Sequence, residues 1–175
     1  IFLGGASGAG LVIDNAALAL FNVADITVGR NDSGDLTVDG VDLGISNVHL
    51  ISGQSIRDNN SGLGITANIL TLDSNGDIGG GGTDMLDTNV RSLIVDTSGN
   101  SAEIRNSGLA GDLLLDSIIT GSGAVNIVQQ LNDIDVDSVN AGANIVTLTA
   151  NAGAINENSS EDAGFDISAG TINLV

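Results

Sequence analysis

Short pairs of the form apolar-x-apolar recur from one end of the chain to the other, and this recurrence restricts the folds open to it. In order they are Ile26/Val28, Leu36/Val38, Val48/Leu50, Leu70/Leu72, Leu93/Val95, Ala102/Ile104, Leu113/Leu115, Val125/Ile127, Ile134/Val136, Val146/Leu148, Phe165/Ile167 and Ile172/Leu174. A period of two places both members of a pair on one face of a strand, with the residue between them on the other. That middle residue is polar everywhere except at Ile94 and Leu114. Between the pairs lie turn clusters such as Asn31-Asp32-Ser33-Gly34, Asp58-Asn59-Asn60-Ser61-Gly62, Asp73-Ser74-Asn75-Gly76 and Asn158-Ser159-Ser160. The 175 residues include 19 Asp, 19 Asn and 25 Gly against 3 Glu and no Lys, a bias toward residues that close turns rather than extend helices. Many short strands joined by frequent turns predict an all-β chain.

Self-comparison narrows the class. A shift of 98 residues lays Asp35-Leu36-Thr37-Val38-Asp39-Gly40-Val41 on Asp133-Ile134-Asp135-Val136-Asp137-Ser138-Val139 and continues through Val48/Val146 and Leu50/Leu148. With one or two inserted residues it reaches Ile56/Ile155 and Leu70/Ile172. The organisation expected is one segment over 1–175, with a long repeat covering 11–108 and a partial copy over 109–175. Inside it runs a shorter spacing: Leu93-Ile94-Val95-Asp96 falls on Leu113-Leu114-Leu115-Asp116 at a shift of 20, and Leu36/Ile56, Val48/Leu70 and Ile104/Val125 lie 20 to 22 apart. This spacing predicts a parallel β-helix, or solenoid, with coils of about 20–22 residues, about eight coils and roughly 40 Å of length at about 4.8 Å per coil. An antiparallel β-sandwich is the alternative, but it needs no repeat near 20 residues, and its edges commonly carry Lys or Pro, both absent here.

Composition excludes several classes of function. The chain has no Cys and a single His, which removes disulfides, thiolate chemistry and paired-histidine zinc sites and makes a Ser-His-Asp triad improbable. A net charge of −18 disfavours nucleic acid and anionic membrane surfaces and favours cations. The absence of Trp and Tyr argues against aromatic-lined sugar or peptide clefts. No stretch is long and apolar enough for a membrane-spanning helix and no signal peptide is recognisable. The chain begins at Ile1 rather than Met, which reads as an interior or processed segment.

Three stretches carry a family resemblance. Ala143-Asn-Ile-Val-Thr-Leu-Thr-Ala-Asn-Ala-Gly-Ala-Ile155, the run from Ile78-Gly79 through Asp84-Met85-Leu86-Asp87-Thr88-Asn89-Val90 to Leu93, and Ala102-Glu-Ile-Arg-Asn-Ser-Gly108 resemble repeat regions of large secreted bacterial filamentous-haemagglutinin-like adhesins. The resemblance implies a right-handed parallel β-helix at the cell surface, forming the shaft of a fibrous protein. The secretion and capping module expected at the start of such a protein is not visible.

Four candidate features stand out, each beside a structural reading. Asp133, Asp135 and Asp137 alternate with Ile134 and Val136, so three carboxylates line one strand face; calcium favours several oxygen ligands, but the matching segment carries Thr37 in place of the middle acid, which favours a solvated face. Gly79 to Asp87 fits the calcium nonapeptide of repeats-in-toxin proteins, with Asp84 and Asp87 as candidate ligands, yet it occurs once and that roll needs tandem copies. Ile94 and Leu114, stacked by the 20-residue shift, are a candidate lateral contact, or are covered by the Gly79 to Asp84 loop. His49 is expected to be an exposed strand residue, and Arg57 and Arg105 to pair locally with acids or turn carbonyls.

No catalytic set assembles, and no cofactor is expected beyond optional calcium. The expected function is mechanical: a non-catalytic structural segment of an extracellular bacterial fibre. With no capping helix recognisable, its partners are further coils of the same polypeptide or other copies stacked end to end, with a host or cell-surface ligand as a further partner. The alternatives are a ligand- or calcium-binding module on the same scaffold and, behind it, a β-helix enzyme acting on polysaccharide.

Overall fold

A computed structural model gives the fold and describes residues 1–5, 10–21, 23–59, 62–80, 84–158 and 166–175. Its strands pair in parallel and wind into a β-solenoid of about six turns, fewer than the eight anticipated. At about 4.8 Å per turn the rod is about 30 Å long. The chain alternates between two walls. One is a nine-stranded sheet running from Asp25–Arg30 through Asn47–Ser52, Ile69–Ser74, Ser92–Asp96 and Leu113–Ile119 to Ile134–Val136 and Ile155–Glu157, with Val139–Asn140 and Ile167–Ser168 continuing it beside Leu113–Ile119. The other is built from a four-stranded and a seven-stranded sheet, joined by single bridges from Ile56 to Ile78 and from Ile78 to Ala102.

Like stacks on like because the period-two pattern leaves one apolar face per strand and each coil is too thin to bury it alone. Ile26, Val48, Leu70, Leu93, Leu115 and Val136 form one inward column, at steps of 22, 22, 23, 22 and 21 residues. Leu36, Ile56, Ile78, Ala102, Val125, Val146 and Ile172 form another, at steps of 20 to 26. The coil is therefore longer and more variable than the expected 20–22 residues. Nearly all of these side chains are buried, but in the last coil Ile172 and Leu174 are 46% and 55% exposed, with no strand beyond them. Phe165, Ser159 and Ser160 lie outside the described residues.

Two sequence alignments are corrected by the register. Leu93 pairs with Leu115, not Leu113, because Asp116 bulges out of the ladder between Leu115 and Ser117. Likewise Ile104 pairs with Ile127, and Val125 with Ala102. The 98-residue repeat also has an unforeseen geometry. Leu36 lies on one wall and its counterpart Ile134 on the other, as do Val48 and Val146. Ninety-eight residues are close to four and a half coils, so the repeat returns the same motif to the opposite side of the rod. In both copies the strand breaks at the same point, after Asp39 in Leu36–Asp39 and Val41–Asp42, and after Val136 in Ile134–Val136 and Val139–Asn140.

Polar columns seal the corners between the walls. At one corner Ser52, Ser74, Thr97 and Thr120 are buried, and each hydroxyl reaches a carbonyl of its own turn, that of Ser55, Gly76, Asn100 or Gly123. At the other, Asn106 Oδ1 accepts from Thr88 Oγ1 and the Val90 N–H, both at 2.9 Å, while its amide donates to Val90 O and Gln129 Oε1. Buried polar groups are tolerable only when paired in this way.

The absence of a capping helix is also corrected. A short helix, Asn15–Leu18, packs on the strands Phe2–Gly4 and Val41–Asp42, with Asp14 accepting the Ala17 N–H at 2.8 Å and Leu18 buried. One end of the rod is thus partly covered, although Leu20 and Phe21 remain exposed beside it.

Inward and outward positions should respond differently to truncation. Leu148→Ala is expected to cost about 3 kcal/mol in denaturant unfolding, and the outward neighbour Thr147→Ala no more than about 0.5 kcal/mol. Equal losses would contradict the assigned faces.

Candidate functional site

The acidic residues are explained by what they bind in the next coil. Asp35, Asp77, Asp112 and Asp133 each stand immediately before a strand or bridge residue: Leu36, Ile78, Leu113 and Ile134. Their carboxylates accept the backbone N–H of Ser55, Ser101, Asp133 and Ala154, at 3.0, 2.9, 3.2 and 2.8 Å. A carboxylate at this corner therefore clamps one coil to the next through a charge-assisted bond. The second oxygen of Asp133 accepts Asn156 Nδ2 at 3.2 Å, and the same amide lies 3.3 Å from Asp135 Oδ1. Asp137 sits past the end of the strand Ile134–Val136, at the break in the wall, so the three acids do not share one strand face. Among the described residues no group of three or more His, Cys, Asp or Glu side chains is placed to hold a metal ion.

The Gly-rich segment divides into two environments. Gly79, at φ 81°, turns the chain away from the wall, and the Gly80 N–H returns to the Asp84 carbonyl at 2.6 Å. Gly81, Gly82 and Thr83 lie outside the described residues, as therefore does most of the loop expected over Ile94 and Leu114. Asp84 is exposed. Asp87 is buried and held by Arg105 in a two-pronged pair, Nε to Oδ1 at 2.5 Å and Nη2 to Oδ2 at 2.6 Å. Both Asp87 oxygens are engaged, which leaves a poor calcium ligand. The hydrogen bond to Asp87 raises the Arg105 pKa above its ordinary value against a lowering by burial, with the charges of Asp87 and Asp58 adding to the rise. Asp58, buried at an inward position, accepts the Asp87 N–H at 3.1 Å and ties the pair to the coil before it.

Above this pair lies an open groove of about 530 Å³, walled by Gly62 and Leu63 on one side and Leu109 on the other, with Gln130 at its end. Sequence reasoning foresaw a local partner for Arg105 but neither its identity nor the groove. The usable signal is the 18-residue separation of Asp87 and Arg105, which register places side by side.

Other outward residues resolve more simply. His49 stands between Thr27 and Thr71 and is half-buried, with Nε2 2.7 Å from Asp73 Oδ2, rather than free in solvent. Arg57 Nε lies 3.7 Å from Asp35 Oδ2, and Arg30 pairs with Asp32 at 2.7 Å on an exposed turn. Ile94 and Leu114 share an outer face but are not stacked, since Leu114 is opposite Ser92 and Ile94 opposite Ser117. Ile119 is 42% exposed on the same strand as Leu114, an outward apolar residue that the pair pattern did not show. Glu103 Oε2 is buried without a hydrogen-bond partner, on the wall from which Gly79 diverges.

Compared with protein families, with curated proteins and with solved structures, the chain matches none.

Three outcomes are expected from these contacts. Arg105→Ala strands a buried carboxylate and should lower stability by about 3 kcal/mol, measured by denaturant unfolding; no change would mean that Asp87 is solvated. Glu103→Gln removes an unpaired buried charge and should raise stability by about 1 kcal/mol, read in the same assay, whereas destabilisation would reveal a partner for that oxygen. Because the corner carboxylates already hold backbone donors, calcium and a chelator should give the same melting temperature; a calcium-dependent rise would restore the metal reading.

Proposed function

We propose that this chain is a non-catalytic structural segment, a rigid length of an extracellular bacterial surface fibre of the adhesin-shaft kind. The observation that carries the reading is where the polar side chains are spent. Asp35, Asp77, Asp112 and Asp133 bond across coil boundaries, the buried corner residues bond within the wall, and Asp87 is closed by Arg105. Chemistry needs titratable groups that converge on open space with capacity left over; here the acids serve cohesion between coils. The placement at a cell surface rests on the likeness of Ala102 to Gly108 and Ala143 to Ile155 to adhesin repeats.

The partner that fits this reading is more of the same coil, from the same polypeptide or from another copy. Ile172 and Leu174 repeat the inward apolar pattern yet stand exposed, so a further strand laid in parallel on Thr171–Leu174 would bury them as every earlier pair is buried. Among the described residues no helix is long and apolar enough to cross a membrane. The groove over Asp87 and Arg105 favours one second reading, a ligand-binding module on the same scaffold, in which the shaft presents a small polar depression.

Electron microscopy of the purified chain with and without a chelator tests the proposal. Rods that lengthen along one axis in units of about 30 Å and survive the chelator are expected. Isolated single-chain particles, or rods that dissolve when calcium is removed, would contradict it.

A further inference from the structure

Of the 19 asparagines, Asn75 alone is followed by glycine. This pair is chemically distinctive, because a backbone nitrogen that carries no neighbouring Cβ reaches the preceding side-chain carbonyl with least hindrance. In that reaction Gly76 N bonds to Asn75 Cγ, the Cγ–Nδ2 bond breaks, and ammonia departs with the proton of the Gly76 N–H. Water then opens the five-membered imide at one carbonyl or the other, leaving aspartate or isoaspartate at position 75. Solvent water is the sole co-reactant.

The fold holds the two reacting groups apart. Asn75 is exposed on the turn after the strand Ile69–Ser74. Its Nδ2 donates to the Asn31 carbonyl at 3.2 Å, across an intervening coil whose facing residue is Gly53. A Cβ on Gly53 would lie 2.6 Å from that same carbonyl oxygen, so the reach depends on glycine there. The Asn75 N–H donates to Ser52 O at 3.1 Å, and the Asn75 carbonyl accepts Asn100 Nδ2 at 2.9 Å. Meanwhile the Gly76 N–H donates to Ser74 Oγ at 3.1 Å, and Ser74 is buried with its hydroxyl 2.6 Å from Gln54 O. Attack requires the Gly76 N–H to leave Ser74 and the Asn75 side chain to leave Asn31. Both contacts belong to the stacking of coils.

We propose that Asn75-Gly76 is a self-modification site of this chain, withheld while the coils are stacked and released where the stack opens locally. Conversion would place a further carboxylate between Asp73 and Asp77. The isoaspartyl product would also insert a backbone methylene at a turn whose register depends on the bond from Asn75 to Ser52. An opening event would thus leave a permanent chemical mark. This inference does not depend on the role proposed above.

The test is peptide mapping by mass spectrometry, with isoaspartate detection, after incubation of the whole chain at mildly alkaline pH in buffer and in denaturant. In denaturant Asn75 should convert ahead of every other asparagine, and in buffer it should convert slower by roughly tenfold or more. Ser74→Ala should narrow that native-to-denatured ratio, whereas Ser74→Thr, the residue type that follows in this column at Thr97 and Thr120, should preserve it. Equal rates in buffer and denaturant, or conversion led by another asparagine, would overturn the site. A folded Ser74→Ala chain with an unchanged ratio would overturn the gate; should that variant not fold, the comparison on the unaltered chain decides.

Discussion

Everything in this molecule depends on the in-register parallel hydrogen bonding of each coil to the next. A single coil has too little apolar surface to bury and leaves its strand edges unpaired; only a neighbour above and below satisfies both needs. The apolar columns follow from this constraint, since an equal step along the chain brings Ile, Leu and Val back over one another. So does the placement of polar residues. A hydroxyl or amide at a corner is buried on every turn, and Ser52, Ser74, Thr97, Thr120, Asn106 and Gln129 therefore have to find partners within the wall.

The same constraint accounts for a charge that would otherwise suggest metal binding. An acid placed just before a strand meets a backbone donor of the next coil, and the Asp35, Asp77, Asp112 and Asp133 contacts show that meeting four times. Aspartate suits the position where glutamate does not, because its short side chain bonds backbone near its own Cα. Carboxylates used in this way leave the rod acidic on its surface and ordinary in its chemistry. Asp87 is the exception, a buried acid that answers to Arg105, and it occurs where Gly79 to Asp84 departs from the coil.

Much of the fold was legible in the sequence. The alternation at Leu36/Val38 or Val146/Leu148 gives inward and outward faces directly, and the turn clusters give the corners. The registers of Leu93 and Ile104 were not legible, because the eye aligns similar runs while the ladder counts residues, and the bulge at Asp116 shifts that count. Nor could self-comparison reveal that the 98-residue repeat changes walls, since both walls obey the same period of two. The helix Asn15–Leu18 was too short to produce a helical pattern. The Asp87 to Arg105 pair and the unpaired Glu103 oxygen depend on loop paths that composition and spacing do not encode.

The central claim, parallel coils stacked about 22 residues apart, is most directly tested by disulfide formation between introduced cysteines, in a chain that has none of its own. Asn126 lies opposite Thr147, and Val128 opposite Thr149, on the outer face of neighbouring strands. Asn126→Cys with Thr147→Cys should cross-link readily under mild oxidation, and Asn126→Cys with Thr149→Cys should not. The reverse pattern, which antiparallel strands joined by a hairpin would give, would contradict the solenoid.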